Sequence, residues 1–199
     1  LIIDQMLNDA GWQANTVHAT YAKGTRPERG KNKAIAEWPT QGKQSADYIL
    51  FCGLTPVAAV EAKRQNVNVA GKITQAERYA SGMQLHADHI PAWHLEGRTS
   101  PWPDGKGGLF QLPFAYSCNG RELIKQSPEA SGTWHRDLRH PSQLARPLQS
   151  FHSPTGLLDL ITRSKAAAEA KLQQESFSYL GLRDYQQKAI ASVEESLAN

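Results

Sequence analysis

Three ionisable residues in the first third of the chain have the types and spacing needed to cut a phosphodiester. Asp47 opens an apolar run, Tyr48-Ile49-Leu50-Phe51-Cys52, and a second run, Val57-Ala58-Ala59-Val60, ends in Glu61-Ala62-Lys63. Between them lies the turn signal Gly53-Leu54-Thr55-Pro56. Two short β-rich runs joined by such a turn predict a hairpin. Its antiparallel strands bring Asp47 beside Glu61 at one end. Alternation along the strand then puts Glu61 and Lys63 on one face and Ala62 on the other. Two carboxylates and the Ala62 carbonyl between them suit a hard cation such as Mg2+, which takes oxygen ligands and keeps several waters. A neighbouring ammonium can hold the water that attacks phosphorus and steady charge on the phosphate.

A second pair follows. Gly71 and Thr74 open a helical pattern with Ile73, Ala76, Ala80 and Met83 on its apolar side. Gln75 and Tyr79, four apart, share a face of that helix. Read alone, each feature has a plain structural meaning: a charged residue at a strand end is solvated, Tyr79 is a core aromatic and Gln75 is exposed. The order of the features along one chain gives them weight.

Asp47, Glu61-x-Lys63 and Gln75-x-x-x-Tyr79 together resemble the PD-(D/E)xK nuclease signature in its RecB-like form, with Ala46 where the name of the motif has proline. Further segments are similar to the N-terminal part of type I restriction enzyme R subunits: AGW at 10–12, LPFAYSCNGREL at 112–123, FHSP at 151–154 and LRDYQ at 182–186. The resemblance covers nearly the whole chain. It implies an α/β, restriction-endonuclease-like fold, a mixed central sheet flanked by helices with a C-terminal helical bridge. Residues 1–150 would form the nuclease domain, and 151–199 a helical linker and the start of a superfamily 2 motor. The implied metal ligands are Asp47, Glu61 and the Ala62 carbonyl, with Mg2+ as cofactor. Lys63 would orient the attacking water, and Gln75 and Tyr79 would position the DNA backbone or support the metal. Gln186 would contact adenine, yet no Walker A pattern occurs in these residues. ATP is therefore expected to serve the full-length protein and not this chain alone. The implied substrate is double-stranded DNA, and the implied partners are modification and specificity subunits. Two alternatives stay open: a RecB-like nuclease fused to another helicase, and a silent docking module joining motor and recognition subunits.

The elements that must hold these residues are legible in part. An apolar stripe of Ile3, Met6, Leu7 and Ala10, stopped by Gly11, predicts a first helix. Asp4 on it reads as an exposed acid, although an acid on the first helix often contributes to metal binding in such nucleases. Leu1 stands inside this pattern, so a few preceding residues are expected. A basic, glycine- and proline-containing loop at 19–33 suits phosphate contact or plain solvation. Residues 34–38 predict a strand from which Glu37 could approach the metal. His86, His89 and His94 read as surface or DNA-facing residues. Trp93 and Trp102, in an irregular stretch near 88–108, either stack on bases or anchor the loop.

The string FQLPFAYS predicts one further strand, and residues 132–150, rich in Pro, Arg and His, a linker or surface segment. Ser153 or Thr155 caps a helix running to about residue 176. The last segment is a helix with Tyr185, Ile190, Val193 and Leu197 as its apolar stripe. With 22 Lys and Arg against 19 Asp and Glu, the net charge of +3 permits nucleic-acid binding without demanding it. No apolar run is long enough to span a membrane. Cys52 and Cys118 sit in apolar runs and read as core residues of a reducing, cytoplasmic protein.

Overall fold

In the computed structural model, residues 2–163 and 181–198 are described. The chain divides into two compact units, Leu1–Ile161 and Thr162–Asn199. In the first unit, helix α1 (Ile2–Asp9) precedes β1 (Gln13–Ala14), β2 (Asn32–Thr40), β3 (Gln44–Cys52) and β4 (Thr55–Ala62). Helix α2 (Ile73–Gly82) and the short α3 (Ala92–Leu95) follow, then β5 (Trp102–Pro103), β6 (Leu109–Phe110), β7 (Phe114–Cys118), β8 (Thr133–Asp137), β9 (Arg146–Pro147) and α4 (Pro154–Thr162). Seven strands form a mixed sheet in the order β1-β2-β3-β4-β7-β8-β9, while β5 and β6 pair separately. This is the α/β architecture expected of a restriction-endonuclease-like fold, a central mixed sheet flanked by helices.

Strand β4 is the axis of the sheet. It pairs antiparallel with β3 and parallel with β7, and the parallel partner requires a crossover, which contains α2. Being covered on both faces, β4 is apolar almost throughout. Ala58 and Val60 join the core that holds Leu7 of α1 and Leu157 and Ile161 of α4. Ala59 joins the opposite core, with Ile73, Ala76, Tyr79 and Ala80 of α2. The predicted hairpin is longer than its apolar runs. Thr55 and Pro56, assigned above to the turn, start β4, and a register shift at Leu50/Phe51 accommodates the proline, which has no N–H to donate.

Four sequence expectations are corrected. FQLPFAYS is not one strand, because Gln111–Pro113 separates β6 from β7. Residues 132–150 are neither a linker nor a surface segment throughout, since β8 and β9 lie there and extend the sheet beyond β7, with Thr133 and His135 buried. His89 is buried against Trp38 and Phe51 instead of facing solvent. Asp4 is no exposed acid either. Its buried carboxylate accepts hydrogen bonds from the Thr16 N–H at 3.1 Å, the Thr16 hydroxyl at 2.7 Å and the Tyr48 hydroxyl at 2.9 Å. Trp93 and Trp102 are buried, ring against ring, so they anchor their loop. Cys52 and Cys118 are free and buried.

Helix α4 starts where the sequence put it. The Ser153 hydroxyl accepts the Gly156 N–H at 3.1 Å, and Pro154 occupies the first turn, where its missing N–H costs nothing. The continuation of that helix to residue 176 lies outside the described residues. In the second unit, helix α5 (Asp184–Ala198) carries Gln186 in its first turn. The Gln186 carboxamide oxygen accepts the Arg183 N–H at 2.9 Å, so in this structure it caps its own helix. Tyr185 and Val193 of the expected stripe are 63% and 58% exposed. Among the described residues, no helix is long and apolar enough to cross a membrane.

Candidate active site

The open end of the β3–β4 hairpin gathers the residues that the sequence singled out. The last paired residues there are Tyr48 and Val60, so Asp47 and Glu61 stand opposite each other where the ladder stops. Beyond them Ala62 is paired with Cys118 of β7 but with no residue of β3, and its N–H turns to a side chain there. It donates to Asp47 Oδ2 at 2.6 Å, and this bond ties the Asp47 carboxylate to the backbone between Glu61 and Lys63. The Lys63 N–H donates to the Cys118 carbonyl at 2.8 Å, which keeps the chain straight past the end of β4. A partly buried amide without a partner costs up to about 1–3 kcal/mol, so the Asp47 carboxylate has a structural role there.

Glu61 is fully buried and Lys63 half-buried, with the ammonium in contact with Glu61 Oε1. Neither Glu61 oxygen has a hydrogen-bond donor in ordinary geometry. Burial raises the Glu61 carboxyl above the usual carboxylate range; Lys63 opposes this, and the Asp47 charge adds to it. Lys63 is raised in turn, chiefly by its contact with Glu61. From α2, Gln75 Nε2 donates to the Tyr79 hydroxyl at 2.6 Å. The Tyr79 hydroxyl lies beside Glu61; burial raises it, and the Glu61 and Asp47 charges act in the same direction. The structure thus brings Asp47, Glu61, Ala62, Lys63, Gln75 and Tyr79 together. Gln186 belongs to the other unit.

A cleft of about 480 Å³ opens against this group. Asp47, Ala62 and Lys63 line it, with Ile2 and Ile3 of α1, Thr16, Tyr48 and Glu37. Glu61 is not in the lining; it sits behind Lys63, toward α2. Glu37 reaches the cleft through an unusual backbone, with a φ of 55° in the middle of β2. Around it the alternation of β2 slips, since Ile35 and Trp38 both enter the α2-side core. Arg64, Gln65 and Asn119 also line the cleft. Sequence reasoning missed these three, although Arg64 and Gln65 directly follow the motif and Asn119 lies in the NGRE string.

The donor set suits a hard divalent cation. It offers Asp47 at the cleft and, next to it, the buried Glu61 carboxylate, which the Lys63 ammonium contacts at Oε1. No group of three or more His, Cys, Asp and Glu side chains gathers around one point among the described residues.

Comparison with known proteins bears on the same region. A family model described as the type I restriction enzyme EcoKI endonuclease subunit second domain matches residues 13–161, which include every element of the cleft except α1. The type I restriction enzyme EcoKI endonuclease subunit of Escherichia coli (strain K12) is 38% identical over 219 residues, covering 98% of this chain. The chain spans 18% of the length of that curated relative. No solved structure matches. With the family model covering most of the chain and the identity running along nearly all of it, the chain belongs to the family of type I restriction enzyme endonuclease subunits.

Proposed function

We propose that this chain is the nuclease part of a type I restriction enzyme R subunit and cuts double-stranded DNA with the help of Mg2+. The observation that carries this reading is the convergence of Asp47, Glu61 and Lys63 on the splayed end of one hairpin, beside an open cleft. Asp47, Glu61 and the Ala62 carbonyl would hold the cation. When bound, it would neutralise charge on the phosphate and make water a better nucleophile at neutral pH. The chain's own groups do the rest. Lys63, held by Glu61, hydrogen-bonds the attacking water and keeps it in line with the phosphorus. Tyr79, fixed by Gln75, holds the Glu61 carboxyl from behind.

Around this core stand the wider properties of the system. We propose that a motor elsewhere in the full-length protein hydrolyses ATP, with Gln186 contacting adenine, and moves DNA to the cleft. Modification and specificity subunits would choose the site. The reading is tested by titrating Mn2+ or Mg2+ into the chain in a calorimeter. Wild type should bind one cation, Asp47→Ala should lose most of that affinity and Glu61→Gln should weaken it. Equal binding by wild type and Asp47→Ala would remove Asp47 from the site.

A further inference from the structure

We propose that the turn after Lys63 is a fixed mount that presents Arg64 to a phosphate of the DNA backbone, with Asn119 and Arg121 as its positioning residues. This rests on the reading of the cleft as a DNA-cleaving site. Arg64 is exposed, lines the cleft directly after Lys63, and has no ion pair or side-chain hydrogen bond among the described residues. Arg136, Arg139 and Arg121 of the same unit are engaged with Glu77, Asp137 and the Val67 carbonyl, and unlike Arg29, Arg78 and Arg146, Arg64 lines the cleft beside Lys63.

The backbone that carries Arg64 is held from several sides. The Val67 N–H closes the turn on the Arg64 carbonyl at 3.0 Å. Asn119 Nδ2 donates to the Val67 carbonyl at 2.5 Å and, more loosely, to that of Gln65 at 3.4 Å. Arg121 Nη2 donates to the same Val67 carbonyl at 2.8 Å, and the Ser117 hydroxyl holds the Val69 carbonyl at 2.8 Å. Asn119 is itself buried and accepts the Arg121 N–H at 3.0 Å. Gly132 leaves room for this arrangement, since a Cβ there would lie 2.4 Å from Asn119 Oδ1.

A loop braced through its carbonyls leaves its side chains free for a ligand. Because the backbone is already ordered, binding costs less entropy. A guanidinium fork matches phosphate oxygens, and phosphate contacts fix DNA in place without reading its sequence. The cleft also carries the carboxylates of Glu37 and Asp47, which repel a polyanion. A cation at the rim offsets that repulsion beside the phosphate to be cut.

The test is binding of a short blunt-ended DNA duplex by the chain in EDTA, titrated over salt concentration. Arg64→Ala should raise the Kd several-fold and lower the magnitude of the log–log salt slope by about 1. Arg64→Lys should keep the slope and recover part of the affinity. Asn119→Ala should weaken binding, and adding it to Arg64→Ala should change nothing more; a merely structural role would add its own loss. If Asn119→Ala does not fold, the two exposed Arg64 variants decide the matter. A wild-type slope and Kd in Arg64→Ala overturns the proposal, as does a wild-type chain that binds no duplex at low salt. Cation binding at Asp47, measured without DNA, stands or falls separately.

Discussion

At the scale of single residues, Lys63 and Glu61 form one unit. Glu61 is buried and raised, and the ammonium against it is the feature that lets a carboxylate persist there. Removing Lys63 therefore does two things: it takes away the group proposed to orient water and leaves Glu61 without the ammonium against it. Lys63→Ala is expected to lower cleavage by about 10²–10⁴-fold, the range typical of a lost proton-handling group. Lys63→Arg should not restore it, because a planar guanidinium is a poor replacement for a compact ammonium. Single-turnover cleavage of linear duplex by both variants checks this. Tyr79→Phe keeps the ring in the α2-side core and removes the hydroxyl that Gln75 holds, so its loss should be smaller, about tenfold. Parallel thermal melts of Tyr79→Phe should show an unchanged fold.

At the scale of elements, the hairpin was legible because its strands are aliphatic and bounded by a turn. The carboxylates flanking the runs then followed from register. Strand β8 was not legible because its buried positions are Thr133 and His135, polar residues that look like loop in a Pro- and Arg-rich stretch. Asp4 was misread for a related reason, since its partner Tyr48 lies 44 residues away and no local pattern announces the pair. The cleft wall likewise depends on a phase slip at Glu37 that alternation cannot foresee. The NGRE string is a family mark in the sequence, but the hydrogen bonds by which Asn119 and Arg121 brace the turn after Lys63 form only in three dimensions. Gly132 makes that dependence testable. Gly132→Ala would place a Cβ 2.4 Å from the Arg121 N and O atoms as well as from Asn119. It should destabilise the protein by about 1–3 kcal/mol, the usual cost of overpacking, read as a shift in the urea midpoint. Ser153→Ala removes the α4 cap and should cost about 1 kcal/mol by the same assay.

At the scale of the whole molecule, the sheet sets an acid limit. His135 of β8 lies between Phe114 and Tyr116, beside His152, with Nε2 buried and unbonded. Burial, aided by the His152, Arg146 and Arg139 charges and opposed by Asp137, lowers it to about 3. An unfolded histidine titrates near 6.5. Between those values the unfolded chain binds the extra proton, so the stability present above pH 6.5 or so falls as the pH drops toward 3. His135→Phe should flatten that part of the curve, as measured by urea unfolding at a series of pH values. The same placement of β8 and β9 in the sheet predicts that residues 132–150 resist limited proteolysis in the folded protein.

The proposed assignment of Asp47, Glu61 and Lys63 to DNA cleavage, and to neither the motor nor assembly, is tested by cleavage and ATP hydrolysis measured on the same preparations of the assembled enzyme, wild type against Lys63→Ala and Asp47→Ala. Both variants should lose double-strand cleavage and hydrolyse ATP at the wild-type rate. Normal cleavage by Lys63→Ala, or loss of both activities together, would contradict it.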